Sequence, residues 1–167
     1  MIQLKANMMK ALTACTLAIS VQALAADLPK QTFLPLSVSQ QLATVALTSC
    51  ATEGYNVSVT VVDAYGVTRT QVRADKAGPH TLESSRKKAY TSASMGRPTA
   101  DFASLIKKMP EVAGLRDMDP NILILGGGLP IKMNGEKLGG IGVGGAPGGH
   151  LDQACAQAAI DKVLGKS

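Results

Sequence analysis

The sequence predicts an α/β domain of the α+β kind, a central antiparallel sheet flanked by helices in the order α-β-β-α-α-β-β-α. Three observations carry this reading. Two pairs of β-branched or apolar runs are each joined by a turn signal, Asp63-Ala64-Tyr65-Gly66 in one and Asn134-Gly135 in the other, so each pair reads as an antiparallel hairpin. Helical periodicity fills the segments before, between and after the hairpins, which places helices against a single sheet. Eleven of the seventeen glycines fall between Gly126 and Gly149, a density that demands a close approach by another backbone or a ligand.

The elements follow in order. Ser37 is an N-cap candidate with Gln40 three residues on, opening a helix whose Val38, Leu42, Val45 and Ser49 lie at helical spacing, with Ala46 and Cys50 beside them and Gly54 as its stop. Asn56 to Val62 alternates and is β-branched, hence a strand. Val67 to Arg73 returns as a polar, half-exposed strand. A helix starts at Thr81 or Ser84 and runs to about Ser94, where Gly96-Arg97-Pro98 breaks it. Thr99 caps a further helix with Phe102, Leu105, Ile106 and Met109 as its apolar stripe, ended by Pro110. Glu111 to Pro120 is a loop or partial turn. Asn121 to Leu125 reads as a buried strand that continues through the glycines to Met133. Leu138 to Gly144 returns with Ile141 and Val143 on one face and Gly140, Gly142 and Gly144 on the other. That bare face must be covered by a helix, another subunit or a ligand. His150 or Leu151 opens the last helix, with Leu151, Ala154, Cys155, Ala158, Ala159 and Val163 on its packing face.

Residues 1–25 have the form of a secretory signal peptide: Lys5 and Lys10, an apolar run from Ala11 to Val21, and an Ala23-Leu24-Ala25 cleavage site. The run is too short for a membrane span, and no later stretch approaches about 18 apolar residues. A lead at 26–36 and one domain at 37–167 would remain, in a periplasmic or secreted protein with no membrane insertion. The formal charge of +5 falls to +3 without the two leader lysines, and with no Trp, two Phe and three Tyr there is no stacking platform for nucleic acid. Cys50 and Cys155 stay behind. They form either one disulfide or two buried thiols.

Gly140 to Gly145 matches G-x-G-x-x-G, but one more helix follows with no second parallel strand to carry an acidic residue about 20 positions on, so a dinucleotide site is not expected. The Gly148-Gly149-His150 entry is either an anion-binding helix N-terminus or a helix entry that needed flexible backbone. His80 and His150 are the two imidazoles and the candidate metal or haem ligands, with Met95 and Met118 as second axial ligands. Arg86, Lys87 and Lys88 form either a solvated face or a clamp for an acidic ligand group, with Lys88 on the side facing the sheet. Asp152 and Asp161 read as solvent-facing. Neither a nucleophile elbow nor a metallopeptidase motif is present, so the chain reads as no enzyme.

Three segments carry a resemblance: AGPHTLESSRKKAYTSASMGRPT (Ala77 to Thr99), ILILGGGLPI (Ile122 to Ile131) and GEKLGGIGVGGAPGGHLDQACAQAAI (Gly135 to Ile160). They resemble the GlcG/HbpS family, related to the C-terminal domain of PduO. The most specific parts are K-A-x-T at Lys88 to Thr91 and D-x-A-C-A at Asp152 to Ala156. The resemblance covers nearly all of residues 37 to 165 and implies a profilin-like fold, a homo-oligomer, and an exported haem-binding protein that captures or senses haem without catalysis, alongside a sensor or uptake partner. His80 would ligate the iron, with His150 second, and Arg86 and Lys88 would meet the propionates. The turn before the last helix departs from the family pattern, so no contact is carried over there. The alternative is an accessory protein binding another small molecule, an organic acid or a corrinoid.

Overall fold

A computed structural model describes residues 30–165, so the proposed leader and the first residues of the lead lie outside the described residues. The chain from Gln31 onward forms one compact unit. Its elements are α1 (Leu36–Thr52), β1 (Ser58–Asp63), β2 (Thr68–Arg73), α2 (His80–Met95), α3 (Thr99–Lys108), a 3-10 helix (Pro110–Arg116), β3 (Gly128–Met133), β4 (Glu136–Gly144) and α4 (Gly149–Leu164). The expected order is therefore present. All strand pairs are antiparallel, in the order β2-β1-β4-β3, with Val59 opposite Val143 and Val61 opposite Ile141 at the centre.

The two faces of the sheet are built differently. One is apolar: Val59, Val61, Leu129, Ile131, Ile141 and Val143 pack under α1 and α4 in the main core. Cys50 of α1 and Cys155 of α4 are joined by a disulfide there, with their Cα atoms 5.5 Å apart, which decides between the two readings of the cysteines. The opposite face is small and polar. The Ser58 and Thr81 hydroxyls meet at 2.7 Å and those of Thr60 and Ser85 at 2.8 Å, pinning β1 to α2. The bare glycine face of β4 lies under the same helix. A Cβ on Gly142 would stand 2.5 Å from the Ala89 amide nitrogen, and one on Gly140 2.8 Å from Ser92 Oγ. A helix of this protein covers those glycines.

Some local expectations are corrected. Ser37 does not cap α1. The extended Pro35 delivers the chain, the helix begins at Leu36, and no side chain caps it. Helix α2 opens earlier than expected, at His80. Thr99 is the first residue of α3 rather than its cap, and its hydroxyl works across the fold, donating to the Leu125 carbonyl at 2.7 Å and accepting the Gly128 N–H at 3.0 Å. Asn121 to Leu125 is not a strand. Its polar groups go to side chains, the Leu123 N–H to Thr91 Oγ1 and the Leu125 carbonyl to Thr99, and the chain turns at Gly127 (φ 116°) before β3 begins at Gly128. Pro110 to Arg116 gives the partial turn a definite form. β2 is the half-exposed edge strand that its composition announced. Asn134 (φ 52°) and Gly135 (φ 80°) supply the two left-handed residues of the second hairpin turn.

Candidate functional site

Each imidazole stands at the head of a helix. His80 is the first residue of α2 and His150 the second of α4, on opposite faces of the sheet. Both rings fold back over the glycine two residues earlier. A Cβ on Gly78 or on Gly148 would lie 2.7 Å from the Cε1 of the following histidine, so glycine is what admits the ring. Both histidines are exposed, and neither ring makes a hydrogen bond among the described residues.

The surroundings of the two rings differ. His150 lines a groove of about 360 Å³ with Ala100, Gln153, Ala154 and Gln157. Gln157 also lines a larger groove of about 640 Å³ between α4 and the edge strand β3, walled by Leu129, Pro130, Met133 and Ile160, with Lys132 beside them. His80 stands outside both grooves. Met95 packs against the satellite cluster around Phe102 and Ile106, and Met118 is exposed on the loop that follows the 3-10 helix.

The basic residues of α2 are engaged by the protein itself. Arg86 donates to Glu83 at 2.9 Å and to Asn121 at 3.1 Å, tying α2 to the loop before β3. That hydrogen bond holds the Glu83 carboxyl below its ordinary range. Lys88 is 2 % exposed, and its Nζ donates to Asp152 Oδ2 at 2.8 Å and to the Val143 carbonyl at 2.9 Å. The structure thus places Lys88 in a buried ion pair, away from any ligand-facing surface. Asp152 is 3 % exposed, which corrects the solvent-facing expectation. Its other oxygen accepts the Ala146 N–H at 3.0 Å and so holds the turn leading to His150. Burial pushes the Asp152 carboxyl above its ordinary range, with Lys88 and the amides pulling it back. The two motifs singled out as most specific, K-A-x-T and D-x-A-C-A, therefore clasp each other through Lys88 and Asp152. The signals were the last lysine of the Arg86-Lys87-Lys88 run, on the side facing the sheet, and an acid in the first turn of α4. Nothing in the sequence joined them across 64 positions.

This architecture defines a small α+β domain: a four-stranded antiparallel sheet with a hydroxyl- and glycine-mounted helix on one face, a disulfide-joined helix pair on the other, and an imidazole at the head of one helix on each. Residues 34–161 match the family described as "Haem degrading protein HbpS-like", and the chain belongs to that family. A double mutant of Streptomyces reticuli HbpS is similar to it at 36% identity and a TM-score of 0.77, over 87% of this chain and 97% of that one. A PduOC:heme complex is similar at 26% identity and a TM-score of 0.71, over 77% of this chain and 94% of the other. An uncharacterized 15.0 kDa protein from the dhaT-dhaS intergenic region of Citrobacter freundii is 32% identical over 138 residues, 75% of this chain and 96% of that protein.

Proposed function

We propose that this chain is an exported haem-binding protein that captures or senses haem without catalysing its breakdown. The observation that carries the reading is His150: an exposed imidazole with no hydrogen bond, at the head of α4 and beside a groove, in a domain whose structural neighbours include a haem complex. Neutral imidazole is a frequent iron ligand. The residues present fit the group. Ala100 and Ala154 leave room beside the ring, and the groove walled by Leu129, Pro130, Met133 and Ile160 offers apolar surface. When bound, haem supplies the iron and its redox chemistry. His150 would hold the iron, Lys132 at the groove would meet a propionate in place of the engaged Arg86 and Lys88, and His80 is the other imidazole able to ligate. A secretory leader and a disulfide between Cys50 and Cys155 both suit an oxidising compartment outside the cytoplasm.

Haemin added to the purified protein should give a saturable Soret shift that His150→Ala weakens at least tenfold, with His80→Ala as the parallel test of the other ring. A spectrum unchanged in both variants would overturn the histidine ligation, and no saturable shift would overturn haem binding. The family's description favours a second reading, haem degradation. Loss of the Soret band with release of iron and appearance of a linear tetrapyrrole, in the presence of a reductant and oxygen, would establish that reading over capture.

A further inference from the structure

We propose that the cleft at the β1–β2 turn is a separate binding site for a small single-ring aromatic carboxylate. It shares no residue with the His150 grooves and does not depend on haem binding. Phe33, Leu34, Tyr65, Arg69 and Leu138 line it, around a volume of about 270 Å³.

Four features build this site. The chain has only five aromatic side chains, and two of them, Phe33 and Tyr65, flank this one cleft with 75 % of each exposed. Such rings present flat faces that favour an aromatic partner. Arg69 is the extra residue of a β-bulge, since Val61 pairs with Thr70 and Val62 with Thr68, leaving Arg69 opposite nothing. Bulges of this kind re-aim a side chain. Among the described residues no ion pair involves Arg69, and its guanidinium is stacked on neither ring. Asp63 Oδ1, on the acid of the cleft wall, accepts the N–H groups of Tyr65 and Val67, each at 3.0 Å, which fixes the shape of the turn on that side.

The opposite wall is held in place. Residues 31–34 form a strap whose Thr32 donates from its N–H and its hydroxyl to the two oxygens of Glu136, at 3.0 and 2.7 Å. Leu34 is buried beneath it, and Gln31 accepts the Tyr65 hydroxyl. A cleft fixed on both sides loses little freedom on binding. Its volume lies below the roughly 300–1,000 Å³ of pockets for drug-sized ligands, which selects one ring rather than a tetrapyrrole. A guanidinium without an ion pair, lining the same cleft as two exposed rings, selects a carboxylate, which it can grip with two parallel hydrogen bonds.

Benzoate is the probe, titrated into the purified protein and followed by amide chemical shifts. Saturable shifts confined to residues 31–34, 63–69 and 138 are expected. Arg69→Gln should weaken binding about tenfold or more, the loss of a charge-assisted pair. Phe33→Ala and Tyr65→Ala should each weaken it several-fold, and cyclohexanecarboxylate and benzamide should bind more weakly than benzoate. These side chains are exposed, so circular dichroism should confirm unchanged folding in every variant. His150→Ala should leave the titration untouched, which keeps this outcome separate from that of the haemin experiment. Shifts that fail to saturate, benzoate binding that Arg69→Gln leaves intact, or equal binding of acetate would each overturn the proposal.

Discussion

Gly142 shows how much the polar face of the sheet depends on missing atoms. It has no left-handed backbone to justify glycine; what it supplies is room, since a methyl there would stand 2.5 Å from the Ala89 amide nitrogen and inside contact of the Ser85 carbonyl. Both obstacles are backbone of α2, which cannot rotate aside. Gly142→Ala should therefore cost about 3 kcal/mol, the upper range of overpacking, in a urea unfolding series. Gly54→Ala is the contrast: open space surrounds that position, and only its φ of +81° is lost, for about 1 kcal/mol. Glu136 carries a residue-scale pH dependence. The two hydrogen bonds from Thr32 hold its carboxyl below the ordinary value, so the folded pKa is depressed relative to the unfolded one. Its contribution is then fully present above about pH 4.3 and is lost as pH falls through the lower folded value. The Thr32 amide shift should titrate below the usual glutamate range, and Glu136→Gln should abolish that titration.

Between elements, the contact that decides most is the buried pair joining α2 to α4. Lys88 and Asp152 have side chains 2 % and 4 % exposed, so removing either partner leaves a buried charge without its counter-ion. Lys88→Met or Asp152→Leu alone should cost about 3–5 kcal/mol, whereas the double substitution should come close to the parent or exceed it. A double-mutant cycle by thermal unfolding checks this, and additive losses would mean that the pair acts as two independent side chains. The same pair marks where the sequence was legible and where it was not. Hairpins were readable because their turn residues and β-branched runs are local signals, and α1, α3 and α4 because their apolar spacing is local too. Lys88 was readable as sheet-facing, yet its partner lies on another helix, and pairing across that distance has no local signature. Asn121 to Leu125 misled for a related reason. An apolar run of four after Asn121 looks like a strand, but Thr91 and Thr99 offer its backbone other partners before any ladder forms. Of the candidate site, the histidines and their helix heads were legible. The grooves beside α4 and the aromatic cleft were not, since each is made by residues that only the fold brings together.

At the scale of the whole molecule, the two faces of the sheet are secured by different means, and this predicts how the protein comes apart. The α2 face is held by hydroxyl pairs, close-packed glycines and the Lys88–Asp152 bridge, all of which form only on folding. The α1–α4 face adds a covalent link between residues 105 positions apart, which restricts the unfolded chain as well. Opening that link should cost about 2–5 kcal/mol. For a chain of this size each kcal/mol lowers Tm by roughly 2–4 °C, so Cys50→Ala/Cys155→Ala should melt roughly 4–20 °C below the parent. The loss should also be uneven. Cys155 lies on α4 five residues beyond His150, while the aromatic cleft is built from the lead strap, the β1–β2 turn and the start of β4. Below the transition, amide hydrogen exchange in the double variant should accelerate along α1 and α4, and haemin affinity should fall with it. Exchange at residues 63–69 and the response to benzoate should stay as in the parent. Uniform acceleration across both faces would mean that the sheet and its helices open as one unit, and that the disulfide supports the aromatic cleft as much as the His150 groove.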